Sequence, residues 1–347
     1  MTPFAAGVTA TKLVLQRCLK LTAGCALAIL TLIGCGKETQ APGAAQAPTA
    51  APELGPIAAI QRPSPLDPAR VELGRKLFED RRLSGNGKLA CSGCHDLSRG
   101  GADHVAFSLG VTGEPVAVNT PTVFNASLNF RQFWDGRATT LEEQIDGPLL
   151  NAHEMGSSWP GALATVRSDA QLASAFNASY AAGVSVESVK DALATFERSL
   201  ITPDAPFDRY LTGQLSAISS EAHRGYELFT SYGCSSCHQG RGVGGNMFQK
   251  LGVMADYFAD RGHETAADQG RFNVTHDEAD RHVFKVPSLR NVALTSPYLH
   301  DGSVATLNET VRVMARYQLG RDLEPGDVSA LVAFLNSLTG VYAGKTP

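Results

Sequence analysis

"LACSGCHDLS" (Leu89–Ser98) places Cys91, Cys94 and His95 within five residues, and "GCSSCHQG" (Gly233–Gly240) sets Cys234, Cys237 and His238 in the same spacing. A Cys-x-x-Cys pair puts two sulfurs one helical turn apart, an arrangement shared by redox dithiols, half of a zinc site and covalent haem attachment. The adjacent histidine separates these readings. In c-type haem the two thiols bond the porphyrin vinyl groups, and the histidine beside them is the proximal ligand of the iron. Zinc would gather all four cysteines and leave both histidines without a role. A thioredoxin-like dithiol would follow a βαβ pattern, which the chain lacks. The sequence therefore predicts two covalently attached haem c groups, one on each motif.

Comparing the chain with itself extends the repeat well beyond these motifs. "GRKLF" (Gly74–Phe78) precedes the first and "GYELF" (Gly225–Phe229) the second. Further on, "PTVFNASLNFRQFWDG" (Pro121–Gly136) aligns without a gap on "PSLRNVALTSPYLHDG" (Pro287–Gly302), at a constant offset of 166, and both continue through Thr-Leu-x-Glu at Thr140–Glu143 and Thr306–Glu309. "ALATFERSL" (Ala192–Leu200) then matches "ALVAFLNSL" (Ala330–Leu338), with apolar residues three and four apart as on an amphipathic helix. Strand signals are sparse, and Asp67-Pro68 and Glu324-Pro325 mark helix starts with proline in the first turn. The expected fold is mainly α. It comprises two cytochrome c-like helical domains, each with one covalent haem c, arising from an internal duplication: residues 64–205 and 206–347, joined at "ITPDAPFDRYLTG" (Ile201–Gly213).

The N-terminus reads separately. Lys12, Arg17 and Lys20 precede an apolar run, Leu21–Ile33, which is too short for the ~20 residues of a membrane-spanning helix and fits a secretory signal. "LIGC" ending at Cys35 resembles the lipobox at which bacteria attach diacylglycerol; the alternative is an ordinary cleaved signal with an incidental cysteine. The expectation is a lipoprotein-type signal over residues 1–35 and an Ala/Pro-rich tether over 36–63. It places the protein in the periplasm with a lipid anchor as its sole membrane contact. Lys37 at the second position after Cys35 favours the outer membrane. Cys18, Cys25 and Cys35 belong to this region, so only the four motif cysteines remain in the folded part. Without residues 1–34, 27 of the 30 Lys and Arg face 34 Asp and Glu, an acidic balance that excludes a nucleic-acid binder.

The repeats differ at a few positions, and function is expected there. Met314 lies on the predicted helix after Asp301, and a thioether opposite the proximal histidine is a common sixth ligand of electron-transfer haems. The offset puts Pro148 at its counterpart, and proline cannot ligate iron. Met247 and Met254 are rival ligands, and Met314 also suits a helix core. Trp134 pairs with His300, each directly before Asp-Gly; a tryptophan there is either core or a carrier of electrons between haems. Beyond Pro148 the first copy offers His153, Glu154 and Met155, and a carboxylate beside an open haem can move protons to and from peroxide.

Across residues 65–342 the chain resembles the bacterial dihaem cytochrome c peroxidases. The carrying motifs are "GRKLFEDRRLS", "CSGCHDLSRGG", "NTPTVFNASLNFRQFWDGRA", "LEEQIDGPL", "NAHEMG", "EADRHVFKVPSLRNVALTSPYLHDGSVATL" and "RVMARYQL". The resemblance implies a low-potential peroxidatic haem on His95 and a high-potential haem on His238 and Met314. It implies that electrons from a small periplasmic cytochrome c or cupredoxin pass by way of Trp134 to reduce hydrogen peroxide to water. Glu154 matches the family's catalytic glutamate and Gln144 its neighbouring glutamine. A calcium ion between the domains is implied on the side chain of Asn119 and the carbonyls of Thr295 and Pro297, oxygen ligands that suit Ca²⁺. A homodimer is an open expectation.

One departure from the family stands out. Its distal histidine follows "S-x-G" after the first motif, where this chain has Ser108-Leu109-Gly110-Val111. Valine offers iron nothing, and the nearest histidine is His104, a relocated cap or a loop residue. The expected first haem is open at rest. Three other functions compete: a non-catalytic dihaem carrier, a peroxide sensor, and the related dihaem enzyme that oxidises tryptophans of a protein substrate to mature methylamine dehydrogenase. That last enzyme has tyrosine in place of the methionine ligand. The sensor would need an output module, for which the sequence has no segment.

Overall fold

The structure, a computed structural model, describes residues 55–62 and 64–347. The signal segment, Cys35 and the tether up to residue 54 lie outside the described residues. The first half carries α1 (Pro68–Phe78), α2 (Cys91–Cys94), α3 (Leu141–Gln144), α4 (Asp146–Leu150), α5 (Trp159–Ser168), α6 (Ala170–Ser179) and α7 (Val186–Ser199). The second carries α8 (Pro206–Leu211), α9 (Ser220–Ser231), α10 (Tyr257–Arg261), α11 (Phe272–Thr275), α12 (Leu307–Leu319) and α13 (Pro325–Asn336). Among the described residues one small sheet forms, β1 (Phe248–Lys250) antiparallel to β2 (Val283–Lys285) with Phe248 opposite Lys285. No described helix is long and apolar enough to cross a membrane.

The helix starts follow local chemistry. Asp67 caps α1 by accepting from the Ala69 N–H, with Pro68 in the first turn, where its missing N–H has no intrahelical partner to lose. Ser185 and Ser219 cap α7 and α9. Thr140 and Thr306, matched in the repeat, cap α3 and α12 by accepting from the N–H groups of Glu143 and Glu309.

Each half is built on one helix crossing. A methyl group at Gly74 would lie 2.0 Å from the Ala192 carbonyl oxygen and 2.6 Å from Phe196 Cβ; at Gly225 the distances are 1.9 Å to the Ala330 carbonyl and 2.9 Å to Phe334 Cβ. Only glycine lets the backbones meet this closely. The short motifs matched in sequence are thus one contact made twice, α1 on α7 and α9 on α13. Phe78 and Phe196 pack at 5.3 Å between ring centroids, and Phe229 and Phe334 at 5.0 Å. Around the first crossing lies a core that includes Leu77, Phe124, Phe176 and Leu200; around the second, one that includes Phe207, Leu331 and Leu338.

The tether ends earlier than its composition suggested. Ile57, Ala58 and Ile60 are buried, Ile57 inside the second core. Ile57 forms a parallel bridge with Gly240, and the Ile60 N–H donates to Asp208. Arg290 anchors the stretch from below: it is fully buried, pairs with Asp208 at 2.8 Å and donates to the Ala58 carbonyl. Ala and Pro dominate residues 36–63, but two isoleucines within them supply enough apolar surface to dock.

The two halves meet at Thr202. Its hydroxyl accepts from Asn125 Nδ2 (2.8 Å) and from Asn291 Nδ2 (3.1 Å), residues matched at the offset of 166. Both asparagines adopt left-handed backbone at φ 60° and open a short 3₁₀ turn, a conformation asparagine tolerates better than most residues.

Candidate active site

Both motifs sit on a single helical turn, α2 for the first and a 3₁₀ turn from Cys234 to Ser236 for the second, so the paired sulfurs share a face. Burial pushes the Cys91 thiol up to about 12 and the Cys234 thiol up to about 11. Redox and nucleophilic cysteines need the reverse shift. Among the described residues the cysteines form no disulfide, and no three-ligand cluster includes any of them, which removes the zinc reading.

The histidines are set up alike. His95 Nδ1 lies 3.3 Å from the Gly101 carbonyl oxygen, and His238 Nδ1 lies 3.3 Å from that of Val243. Donation from Nδ1 leaves Nε2 as the lone-pair nitrogen, the form a proximal ligand requires. Burial holds both imidazoles neutral, His238 down to about 4. Phe78 and Phe229 each stand 6.4 Å from their histidine. Half-buried paired cysteines and an oriented, neutral imidazole fit a thioether-bound haem at each motif.

Past the first motif, residues 108–116 form a tight hairpin. The Gly110 N–H donates to the Glu114 carbonyl and the Val116 N–H to that of Ser108. Val111 is held on both sides: its N–H donates to the Glu154 carbonyl (2.8 Å), and its own carbonyl accepts from Asn86 Nδ2 (2.9 Å). A methyl at Gly110 would stand 1.7 Å from the His153 carbonyl oxygen, so hairpin and "NAHEM" segment are in backbone contact. Glu154 and Val111 are therefore neighbours, and Asn151 Nδ2 steadies Glu154 Oε1 at 2.7 Å. Gln144 ends α3 half-buried. His104 is turned away, with Nε2 2.8 Å from the Arg99 carbonyl.

Trp134 and His300 meet edge to face, 6.4 Å between ring centroids. The backbone around them is exchanged between the halves: the Asn119 N–H donates to the His300 carbonyl and the Lys285 N–H to the Trp134 carbonyl, both at 2.8 Å. Trp134 Nε1 also donates to the Asn119 carbonyl. Asn119 Nδ2 is spent on the carbonyls of Val105 and Ala106, and among the described residues nothing donates to its Oδ1 or to the carbonyls of Thr295 and Pro297. Three oxygens without donors fit the calcium reading. Met314 lies half-buried on α12, whereas Met254 is 60 % exposed against the C-terminal end of that helix, near Gly320.

Residues 68–216 match the sequence profile of the di-haem cytochrome c peroxidases. Cytochrome c551 peroxidase of Nitrosomonas europaea is 44 % identical over 286 residues, 82 % of this chain and 84 % of that protein. The chain belongs to the di-haem cytochrome c peroxidase family. The cytochrome c peroxidase Ccp of Escherichia coli is 47 % identical over 83 % of this chain, which spans 62 % of that longer protein. Among solved structures, a MauG-like protein associated with microbial copper homeostasis superposes with a TM-score of 0.72 at 30 % identity, covering 83 % of this chain and 94 % of that one. As a family member with named peroxidases at this identity, the protein is an oxidoreductase of the cytochrome-c peroxidase class.

Sequence reading missed one cluster in this peroxidase. His300 Nε2 lies 2.6 Å from Asp268, which is fully buried, and Arg261 spans Asp268 (2.6 Å) and Asp301 (2.5 Å). Asp268, His300 and Asp301 have the spacing of a metal site, but the Arg261 guanidinium already supplies its positive charge. These contacts hold Asp268 well below the usual carboxylate range against its burial. Nothing around Asp268 in the linear sequence sets it apart from the solvated acids nearby.

Proposed function

We propose that the protein reduces hydrogen peroxide to water in the periplasm with electrons from a small cytochrome c or cupredoxin. Residues 64–205 would carry the peroxidatic haem on His95. Residues 206–347 would carry the electron-transfer haem on His238 and Met314. The carrying observation is the broken repeat: Met314 on α12 stands where the first copy has Pro148, and Glu154, set against Val111, stands where the second copy has Gly320. When bound, the haems supply the iron at which peroxide is reduced and the iron that receives electrons from the donor.

The chain's own groups supply the rest. Reduction of one peroxide takes up two electrons and two protons and yields two waters. The Glu154 carboxyl delivers a proton to the departing oxygen, while Asn151 fixes one of its oxygens. Gln144, with no hydrogen bond from its side chain to the described residues, is free to orient the substrate. Trp134 lies between the halves as the electron bridge, held by Asn119. Calcium on Asn119, Thr295 and Pro297 would tie the hairpin base of the first half to the second. The test is peroxide-dependent oxidation of a reduced small cytochrome c, followed spectroscopically. Saturable turnover is expected, and a protein that holds two haems yet leaves the donor reduced would sink the proposal in favour of a carrier.

The protein-oxidising alternative is tested at Met314. Neutral thioether ligation favours ferrous iron and raises the potential. Met314→Ala is expected to abolish the sulfur-to-iron band at the red end of the ferric spectrum and to lower the potential of the second haem. If both are unchanged, the ligand is elsewhere; the exposure of Met254 then makes Met247 the next residue to replace. A lipid on Cys35 would hold the enzyme at the membrane, the outer one by virtue of Lys37.

A further inference from the structure

Two buried cations sit in the second half, and only one has an anion. Arg290 is matched by Asp208 at 2.8 Å. Lys285 is 8 % exposed, yet no carboxylate of the described residues pairs with its ammonium and no described group accepts a hydrogen bond from it. Burial alone acts on it and pulls it down to about 8. The stem is enclosed, and the ammonium, unpaired but still open to solvent at its tip, is placed to take an anion from outside the polypeptide.

The surroundings of Lys285 identify that partner. Its N–H donates to the carbonyl of Trp134, and two residues later Pro287 stands against the proximal histidine, its carbonyl among the groups that bear on the His238 ring. The stretch from Lys285 to Pro287 thus forms a wall running from the bridging tryptophan to the second motif. Gly244 closes the same wall: a methyl there would lie 2.1 Å from the Pro287 carbonyl and 3.2 Å from His238 Nδ1. A haem brings two carboxylates of its own, the propionates, to the edge of its ring.

The repeat gives the position meaning. At the offset of 166, Lys285 corresponds to Asn119. The two make mirrored contacts, Asn119 N–H to the His300 carbonyl and Lys285 N–H to the Trp134 carbonyl, each at 2.8 Å. In the first half this place is a neutral amide whose free oxygen suits a cation. In the second half the cation is built into the side chain.

We propose that the Lys285 ammonium binds a propionate of the second haem beside Trp134 and, as a fixed positive charge, raises that haem's potential. This rests on the reading that His238 carries a haem. A short charge-assisted bond would hold the propionate edge against the electron bridge, and a nearby positive charge stabilises ferrous over ferric iron. Lysine is suited to this because its ammonium is a compact point charge on a flexible stem.

The test is a redox titration of the holoenzyme, monitored optically, in wild type, Lys285→Met and Lys285→Arg, with haem counted per chain as the pyridine adduct. Methionine keeps the stem volume without the charge; Lys285→Gln substitutes if that variant does not accumulate. Two haems per chain are expected throughout, with the potential of the second haem shifted down in the neutral variant and largely restored by arginine, while that of the first stays in place. The propionate bending mode in resonance Raman spectra should shift in the neutral variant alone. An unchanged second-haem potential in a protein with two haems overturns the proposal, as does an equal fall of both. Fewer than two haems in the wild type would instead refute the underlying haem assignment.

Discussion

Glu154→Gln is expected to keep both haems and their resting spectra while losing about 10²–10⁴-fold in turnover with saturating donor, the usual contribution of a well-placed proton-transfer group. The substitution preserves shape. Glutamine can still accept from Asn151 Nδ2, and the backbone carbonyl of residue 154 still receives the Val111 N–H. What disappears is a group that can give up and regain a proton, so the loss would report chemistry rather than collapse of the hairpin. Steady-state kcat together with the haem count separates the two. Near-normal turnover would move the role to Gln144, His153 or water. His153, whose backbone N–H donates to Asn151 Oδ1 and whose carbonyl meets Gly110, sits in the same segment and would be replaced next.

The parts of this site that were legible in the sequence are those whose chemistry is contiguous. Two sulfurs and an imidazole must follow one another in the chain to grip one haem, so Cys91, Cys94 and His95 announce themselves, and Cys234, Cys237 and His238 repeat the message. The helix crossings were legible for a different reason: at Gly74 and Gly225 a single atom decides whether two backbones can touch, so both copies retain the same residue. The join at Thr202 was not legible. It draws on Asn125 and Asn291, whose matched positions were visible but whose convergence on a third residue depends on how the halves pack. Asp268 and Lys285 were hidden because burial is a property of the fold. "FKVP" reads as a lysine on a short strand and gives no sign that the side chain is largely buried. The same blindness let the tether run too far, since Ile57 and Ile60 sit in Ala/Pro-rich sequence and become core only against Gly240 and Asp208.

The second large effect concerns the resting state. The all-ferric protein is expected to react with peroxide at once, with no need for prior reduction of the second haem, and to show a high-spin ferric signal as isolated. In relatives with a histidine after "S-x-G", reduction of one haem must release that ligand at the other, a two-state switch of the loop. Here Val111 has no atom to donate to iron, and the hairpin that carries it has little freedom to switch. Asn86 holds its carbonyl, Glu154 its N–H, and the close approach of Gly110 to His153 locks the turn to the "NAHEM" segment. His104 is the one imidazole near enough in sequence to replace the missing cap, and its Nε2 is occupied by the Arg99 carbonyl at 2.8 Å. Moving it to the haem would break that bond and shift a residue already in left-handed backbone at φ 63°. Rapid mixing of the ferric enzyme with peroxide should therefore give a single fast phase whose rate is unaltered by pre-reduction. A wholly low-spin resting spectrum that turns partly high-spin only after one electron is added would contradict this, and loss of that low-spin state in His104→Ala would then name His104 as the cap.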